Sequence, residues 1–430
     1  MTIRLASDSP QRRFAKSIVQ RIVEQHHIAY FAGGCVRDDL LGIEPSDYDV
    51  ATSATPEQIR GIFGAHRTLF VGAAFGVVCV HRRIDGVLHQ VEVATFRSDG
   101  DYSDGRRPDR VQFTTPEGDA QRRDFTINGL FYDPIAIKVI DFVDGQYDLK
   151  NRIVRAIGDP FARFSEDKLR LLRAIRMSAR FDFDIELQTR LAIVDMASTI
   201  LVVSPERIAA EMQKMLEHEK RSTAIQLLDE LGLLEAVFPE LWLSFKDPVS
   251  RQKTLQRLSA IDERNFVASL AVLGYAIVEN ASAHEYVSIV KQTVAKLRSS
   301  WRLSNEDAAS LGFCLANARN FLASEQLQWS FLQPLLISKH VNTTLCFIRA
   351  VLIQAFGDSR LLDRCRTALS LPVTELNPPL LIDGEVLMSL GIPSGPEYAR
   401  LIKLARTAQL DCEIGTREEA LEWLRKHWQP

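Results

Sequence analysis

The chain has 430 residues, 46% apolar and 25% charged, with a formal net charge of −3. That length exceeds what one hydrophobic core usually organises, so two or more domains are expected, and the near-neutral charge excludes a globally basic, histone-like protein while allowing a local basic cleft. No run of about 18 or more apolar residues is present, the first residues (MTIRLASDSPQRR) lack an apolar signal core, and six scattered cysteines form no C-x-x-C or Cys/His cluster; the expectation is a cytoplasmic protein with no membrane contact, reduced thiols and no structural zinc.

Residues 10–27 place Phe14, Ile18, Ile22 and Val23 at helical spacing, and a short strand over 28–32 then runs into Gly33 and Gly34. Paired glycines at a strand-to-helix turn let backbone N–H groups approach an anion, and a helix starting near Cys35 aims its positive end the same way. Arg37 adds a forked cation suited to phosphate. An ordinary turn is built the same way, so this signal is weak by itself.

Asp47 and Asp49 come next, on an expected strand. There the spacing puts both carboxylates on one face, roughly 6–7 Å apart at Cα. Hard cations need oxygen ligands placed this way, and Mg²⁺ uses one or two carboxylates completed by substrate phosphates. An acidic turn after Pro45-Ser46 accounts for the pair equally well when it is taken in isolation.

Thr55-Pro56-Glu57 is a helix start, with a Thr cap and proline in the first turn. Runs at 68–71, 75–80 and 87–96 alternate β-branched residues and read as strands of a mixed sheet. Within the last, Glu92 faces away from Val91 and Val93, either as a third carboxylate beside the pair or as a solvated glutamate. Residues 97–110, rich in Gly and Asp, read as a loop.

Strand signals fade from about Arg122. In RRDFTIN, a helix would put Asp124 and Asn128 on one face at i, i+4, suited to gripping a ribose 2′-hydroxyl, with Arg122 and Arg123 toward phosphate. A longer helix is expected over 165–180, with Leu171, Leu172, Ile175 and Ala179 as its apolar stripe and Glu166, Asp167, Arg170 and Arg173 opposite. A carboxylate acceptor beside a guanidinium donor matches the Watson–Crick edges of cytosine and adenine, whereas guanine and uracil would leave partners unpaired. A surface ion pair between Asp167 and Arg170 is the plainer alternative.

Together these motifs resemble the class II tRNA nucleotidyltransferases, the CCA-adding enzymes of the polymerase-β nucleotidyltransferase superfamily, which also includes bacterial poly(A) polymerases. GGCVRDDLLGIEPSDYDVAT is similar to the family's first motif, RRDFTINGL to its ribose motif, and DGQYDLKNRIVRAIGDPFARF to its hinge. SEDKLRLLRAIRMSARF resembles the amino-acid template and SPERIAAEMQKML the last neck motif, so the likeness is dense over 28–217. Gly129 stands where alanine is usual and Met177-Ser178 where Phe-Ala is common, and no His-Asp dipeptide supports an appended phosphohydrolase.

The resemblance implies an α+β protein: a mixed-sheet catalytic head over 1–140, then an all-helical neck (141–220), body (221–370) and tRNA-binding tail (371–430). It further implies that Gly33, Gly34 and Arg37 hold triphosphate, that Asp47 and Asp49 bind Mg²⁺, and that Glu92 is the third acid. Asp124 and Asn128 would contact ribose with Arg123 nearby, while Asp167 and Arg170 would read the base, Glu166 positioning the arginine and Arg173 continuing the basic face. The implied activity is addition of C, C and A from CTP and ATP to the tRNA 3′ end. The 97–110 loop disfavours a CC-adding enzyme and the 71–80 stretch a poly(A) polymerase. An A-adding enzyme and an inactive RNA-binding relative stay open as alternatives.

Overall fold

The computed structural model describes residues 8–72, 76–100, 111–323, 328–357 and 360–428. The chain forms two compact units, one of Met1–Met215 with Thr223–Pro239, the other of Leu216–Ser222 with Glu240–Pro430. All candidate site residues belong to the first.

That unit opens with α1 (Pro10–Glu24), capped by Ser9. Its apolar stripe is Phe14, Ile18, Val19 and Ile22, while Val23, expected inside, is 40% exposed. Arg12 takes an inward position instead, bonded to Asp39 at 2.6 Å and lying against the rings of Phe31, Tyr48 and Tyr132. Burying an arginine is tolerated here because a carboxylate and three aromatic faces replace its water.

After β1 (Ala29–Ala32) the chain turns through Gly33 into α2 (Gly34–Leu41), then forms β2 (Asp49–Thr52) and α3 (Pro56–Phe63). The Thr55–Gln58 capping box starts α3 where the sequence signals it. Next come β3 (Thr68–Gly72), β4 (Val77–Ile84) and β5 (Val87–Thr95). Residues expected to be loop from 97 instead begin β6 (Arg97–Asp99), which pairs antiparallel with β7 (Val111–Phe113); residues 101–110 lie outside the described residues, as do 73–75 of the 71–80 stretch. Next is α4 (Pro116–Gln121), then β8 (Phe131–Asp133) and β9 (Lys138–Ile140). The seven-stranded sheet has the order β3-β4-β5-β2-β1-β8-β9, with β2 and β5 parallel and the other neighbours antiparallel.

Strands therefore persist past Arg122, where their local signals fade, and still fall within the mixed-sheet head expected over 1–140. β8 and β9 have three residues each, too few for alternation to show, and pairing with β1 defines them. Beneath this part of the sheet, Phe96 and Phe131 pack edge to face at 5.9 Å beside Ala32, Ala51 and Ala120.

Beyond the sheet lie α5 (Gly145–Asn151), β10 (Ile153–Val154), α6 (Pro160–Glu166), α7 (Leu169–Phe181), β11 (Asp184–Ile185), α8 (Leu187–Met196) and α9 (Pro205–Leu216). The single helix expected over 165–180 is two: α6 ends at Glu166, Asp167 is extended (φ −147°, ψ 104°), and α7 starts two residues later. Leu171, Leu172, Ile175 and Ala179 are buried along α7.

The second unit is helical. Its helix Phe266–Val278 is apolar on nearly every side and packs against Asn305–Ala323 and Val341–Phe356, as a core helix must. A separate apolar cluster, including Ile382, Leu387, Leu401 and Leu424, organises residues 382–424. All six cysteines are free thiols, five buried and Cys412 exposed.

Candidate nucleotide and metal site

Three carboxylates meet at the edge of the β2/β5 pair. The ladder of β2 begins at Asp49, so Asp47 lies just before the strand rather than on it. The alternation still holds, because Tyr48 is buried while Asp47 and Asp49 reach solvent on either side. Glu92 stands in register with Asp49 on the adjacent parallel strand. Protein crowding, followed by the charges of Asp47 and Glu92, pushes the Asp49 carboxyl up to about 6, against a smaller opposing pull from Arg123. Gathered negative charge of this kind is the signature of a site suited to a cation.

Among the described residues no three His, Cys, Asp or Glu side chains stand close enough to enclose a metal alone. The donors that reach solvent are carboxylate oxygens, while the neighbouring thiols of Cys35 and Cys79 are buried, and burial pushes both up and keeps them protonated. This fits a hard divalent ion whose remaining ligands come from substrate phosphates.

Beside the acids is a cationic wall. Gly33 has φ +72°, and a Cβ there would lie 2.8 Å from Nη1 of Arg123, so only glycine lets this guanidinium lie against the turn. Arg123 is held by Asp119, which receives its Nη2 at 2.8 Å and also pairs with Arg122 at 2.8 Å. Asp119 is fully buried; burial alone would raise its pKa, but the charges of Arg123 and Arg122 hold it below the ordinary range. Neither Asp119 nor its anchoring role was legible as a site feature. The Gly33 N–H donates to the Leu130 carbonyl at 3.1 Å, and no side chain caps the first turn of α2, so the helix start rather than Gly33 offers backbone donors to an anion.

Arg37 is 4% exposed and does not present an open fork. Its Nε and Nη2 reach Oδ1 of Asp38 at 2.8 and 2.7 Å, and its Nη1 donates to Oδ1 of Asn128 at 2.5 Å. Asp124 and Asn128 do meet, through an Nδ2-to-Oδ1 bond of 2.9 Å, although residues 126–128 form a single 3₁₀ turn rather than an α-helix. Asp124 also accepts from the Phe125 N–H and from Nε and Nη2 of Arg173. Burial opposes its charge, but Arg173, Asn128 and Arg170 outweigh it and hold the carboxyl well below the usual range. Both Asp124 oxygens thus take two donors each, and Asn128 keeps one N–H and one lone pair uncommitted among the described residues. Gly129 is tightly packed: an added Cβ would meet Val143 at 2.6 Å, so alanine's place is filled from across the core.

Asp167 and Arg170 do not pair with each other on one helix. Arg207 of α9 donates to Asp167 at 2.7 Å, while Arg170 donates to Glu166 at 2.5 Å and to the Arg163 carbonyl at 2.8 Å. Arg163 adds a 3.0 Å bond to the same Glu166 oxygen. Asp167 also accepts the Leu169 N–H at 3.1 Å, and Arg170, which is buried, donates further to the Arg122 carbonyl at 3.4 Å, so both side chains are held in fixed directions at the break between α6 and α7. Arg207 and the Arg176–Glu211 pair (2.6 Å) were not singled out from sequence, because their partners are 35 to 40 residues away; Arg163, three residues before Glu166 on α6, was not singled out either.

A model described as the poly A polymerase head domain matches residues 29–155, and one described as the probable RNA and SrmB- binding site of polymerase A matches 182–244. A CCA-adding enzyme of Geobacillus thermodenitrificans (strain NG80-2) is 32% identical over 96% of this chain and 97% of its own. The chain belongs to the CCA-adding enzyme family. By family it is a nucleotidyltransferase, and such proteins use a divalent metal. The CCA-adding enzyme of Geobacillus sp. (strain WCH70) is 42% identical over 221 residues, a match spanning about half of each chain, 51% of this one and 53% of that one. The fold likeness extends end to end: the crystal structure of the Bacillus stearothermophilus CCA-adding enzyme in complex with CTP superposes with a TM-score of 0.74 at 26% identity, covering 97% of this chain and 98% of that one.

Proposed function

We propose that this protein adds C, C and A, from CTP and ATP, to the 3′ end of tRNA without a nucleic-acid template. The observation that carries the reading is the in-register pair Asp49/Glu92, with Asp47 alongside and Arg123 lying over Gly33. Acids and a phosphate-suited cation side by side suit phosphoryl chemistry.

Asp47 and Asp49 are the residues that would hold Mg²⁺, which when bound would lower the pKa of the attacking 3′-hydroxyl and neutralise the leaving pyrophosphate. Arg123 and the first turn of α2 take phosphate oxygens, with Gly33 and Gly34 keeping the wall low; Arg37 contributes charge from behind and braces Asn128. Asn128 offers its remaining N–H and lone pair to a ribose hydroxyl, oriented by Asp124. Asp167 and Arg170 present an acceptor and a donor to cytosine or adenine, stiffened by Arg207 and Glu166. Glu92 supports the acidic pair, and Arg173 locks Asp124.

The division into head (1–140), neck (141–220), body (221–370) and tail (371–430) goes with this reading, with tRNA along the helical part. Support comes from the RNA-binding model over 182–244 and from the CTP complex of the B. stearothermophilus relative. No helix among the described residues is long and apolar enough to cross a membrane, in keeping with a cytoplasmic site of action.

The test supplies tRNA transcripts ending before, within and after the CC step, each with CTP, ATP or both, and Mg²⁺. A complete CCA end from the shortest transcript is expected. Extension only of the CC-ended transcript would assign A-addition, a stop after CC would assign CC-addition, long A tails poly(A) synthesis, and RNA binding without incorporation an inactive relative.

A further inference from the structure

Asp38 is buried between two arginines of different elements. Its Oδ1 holds Arg37, its neighbour on α2, and its Oδ2 receives Nη2 of Arg180, near the end of α7, at 3.1 Å. Both guanidiniums lie over the Phe181 ring, 4.6 and 4.8 Å from its centre. From Arg37 the chain of contacts continues through Asn128 and Asp124 to Arg173, two turns before Arg180 on the same helix. The result is a closed polar circuit that begins and ends on α7.

The circuit dictates the Asn128 amide. A guanidinium has no acceptor, so the amide oxygen must face Arg37; an ionised carboxylate has no donor, so the NH₂ must face Asp124. A flipped amide would set donor against donor and acceptor against acceptor. What pins Arg37 for this task is Asp38, and what holds Asp38's second oxygen is Arg180.

We propose that Asp38 and Arg180 are positioning residues that fix the direction of the Asn128 amide and thereby set the preference for ribose over deoxyribose. This rests on the sugar-reading role proposed for Asn128. Without Arg180 one Asp38 oxygen is left buried without its cation, Arg37 is no longer held square to the amide, and Asn128 samples orientations that cannot serve a 2′-hydroxyl.

The experiment compares kcat/KM for CTP and dCTP on tRNA lacking its 3′ end, for wild type, Arg180→Gln, Arg180→Lys and Asp38→Asn. Losing one oriented hydrogen bond is expected to lower the CTP/dCTP ratio about tenfold in Arg180→Gln and Asp38→Asn, with Arg180→Lys restoring most of it. A fall in both substrates together, with the ratio unchanged, would show that the pair is merely structural and overturn the proposal. Should Asp38→Asn fail to fold, Arg180→Gln decides alone, since that side chain is one-third exposed (33%). A wild type that does not prefer CTP over dCTP would instead remove the sugar-reading role itself.

Discussion

The two sides of the site are built on opposite electrostatic principles. Along β2 and β5, Asp47, Asp49 and Glu92 repel one another, and the Asp49 pKa rises to about 6. Along α7, nearly every charge is answered: Arg170 by Glu166, Arg173 by Asp124, Arg176 by Glu211 and Arg180 by Asp38. The first side gathers negative charge that suits a cation. The second is complete before any nucleotide arrives, so it can hold hydrogen-bonding edges in fixed directions. On the proposed reading, chemistry lies where the protein is left unsatisfied, and selection where it is rigid.

Asp49→Ala breaks the acidic side most severely. It should lower incorporation of every nucleotide by at least about a thousandfold, a loss of several kcal/mol of transition-state stabilisation, with tRNA affinity unaltered in a filter-binding assay. Near-normal turnover would mean that Asp49 is not a metal ligand.

Asp119→Asn probes the wall between the two sides. Removing the charge from a fully buried carboxylate that anchors Arg122 and Arg123 should cost about 3 kcal/mol in urea denaturation and raise KM for CTP. Because the folded-state pKa values of Asp119 and Asp124 are depressed, their stabilisation is fully present above the unfolded carboxylate value of about 3.9 and is lost as pH falls below it. Wild-type stability should therefore fall steeply below about pH 4, and less steeply in Asp119→Asn. Parallel acid profiles would contradict the assignment.

Gly33→Ala is the mildest disturbance. The positive φ and the approach of Arg123 should together cost about 1–2 kcal/mol and raise KM for CTP more than they lower kcat. A stable variant with unchanged KM would show that Arg123 does not need to lie over the turn.

The acidic side was the more legible of the two in sequence. Asp47, Tyr48 and Asp49 lie close together in the chain, and period-two alternation survives even though Asp47 precedes the ladder; Glu92 between two valines follows the same rule. Periodicity also carried the buried stripe of α7, but it extended that helix through Asp167, whose Oδ1 accepts the Leu169 N–H at 3.1 Å and whose Oδ2 takes Arg207, 40 residues on. Nothing local marks Arg12 for burial, since its partner Asp39 lies 27 positions on. The short strands β8 and β9 exist through pairing with β1, which no local pattern records.

The most direct test sets the two sides against each other. Single-turnover incorporation of CTP, ATP, UTP and GTP would be measured on tRNA transcripts ending before and after the CC step, for wild type, Asp49→Ala and Arg170→Ala. Asp49→Ala is expected to lose all transfer, whereas Arg170→Ala still transfers but loses about a hundredfold of its discrimination against UTP and GTP. An Arg170→Ala variant with wild-type selectivity, or an Asp49→Ala variant that changes selectivity rather than rate, would contradict this division of roles.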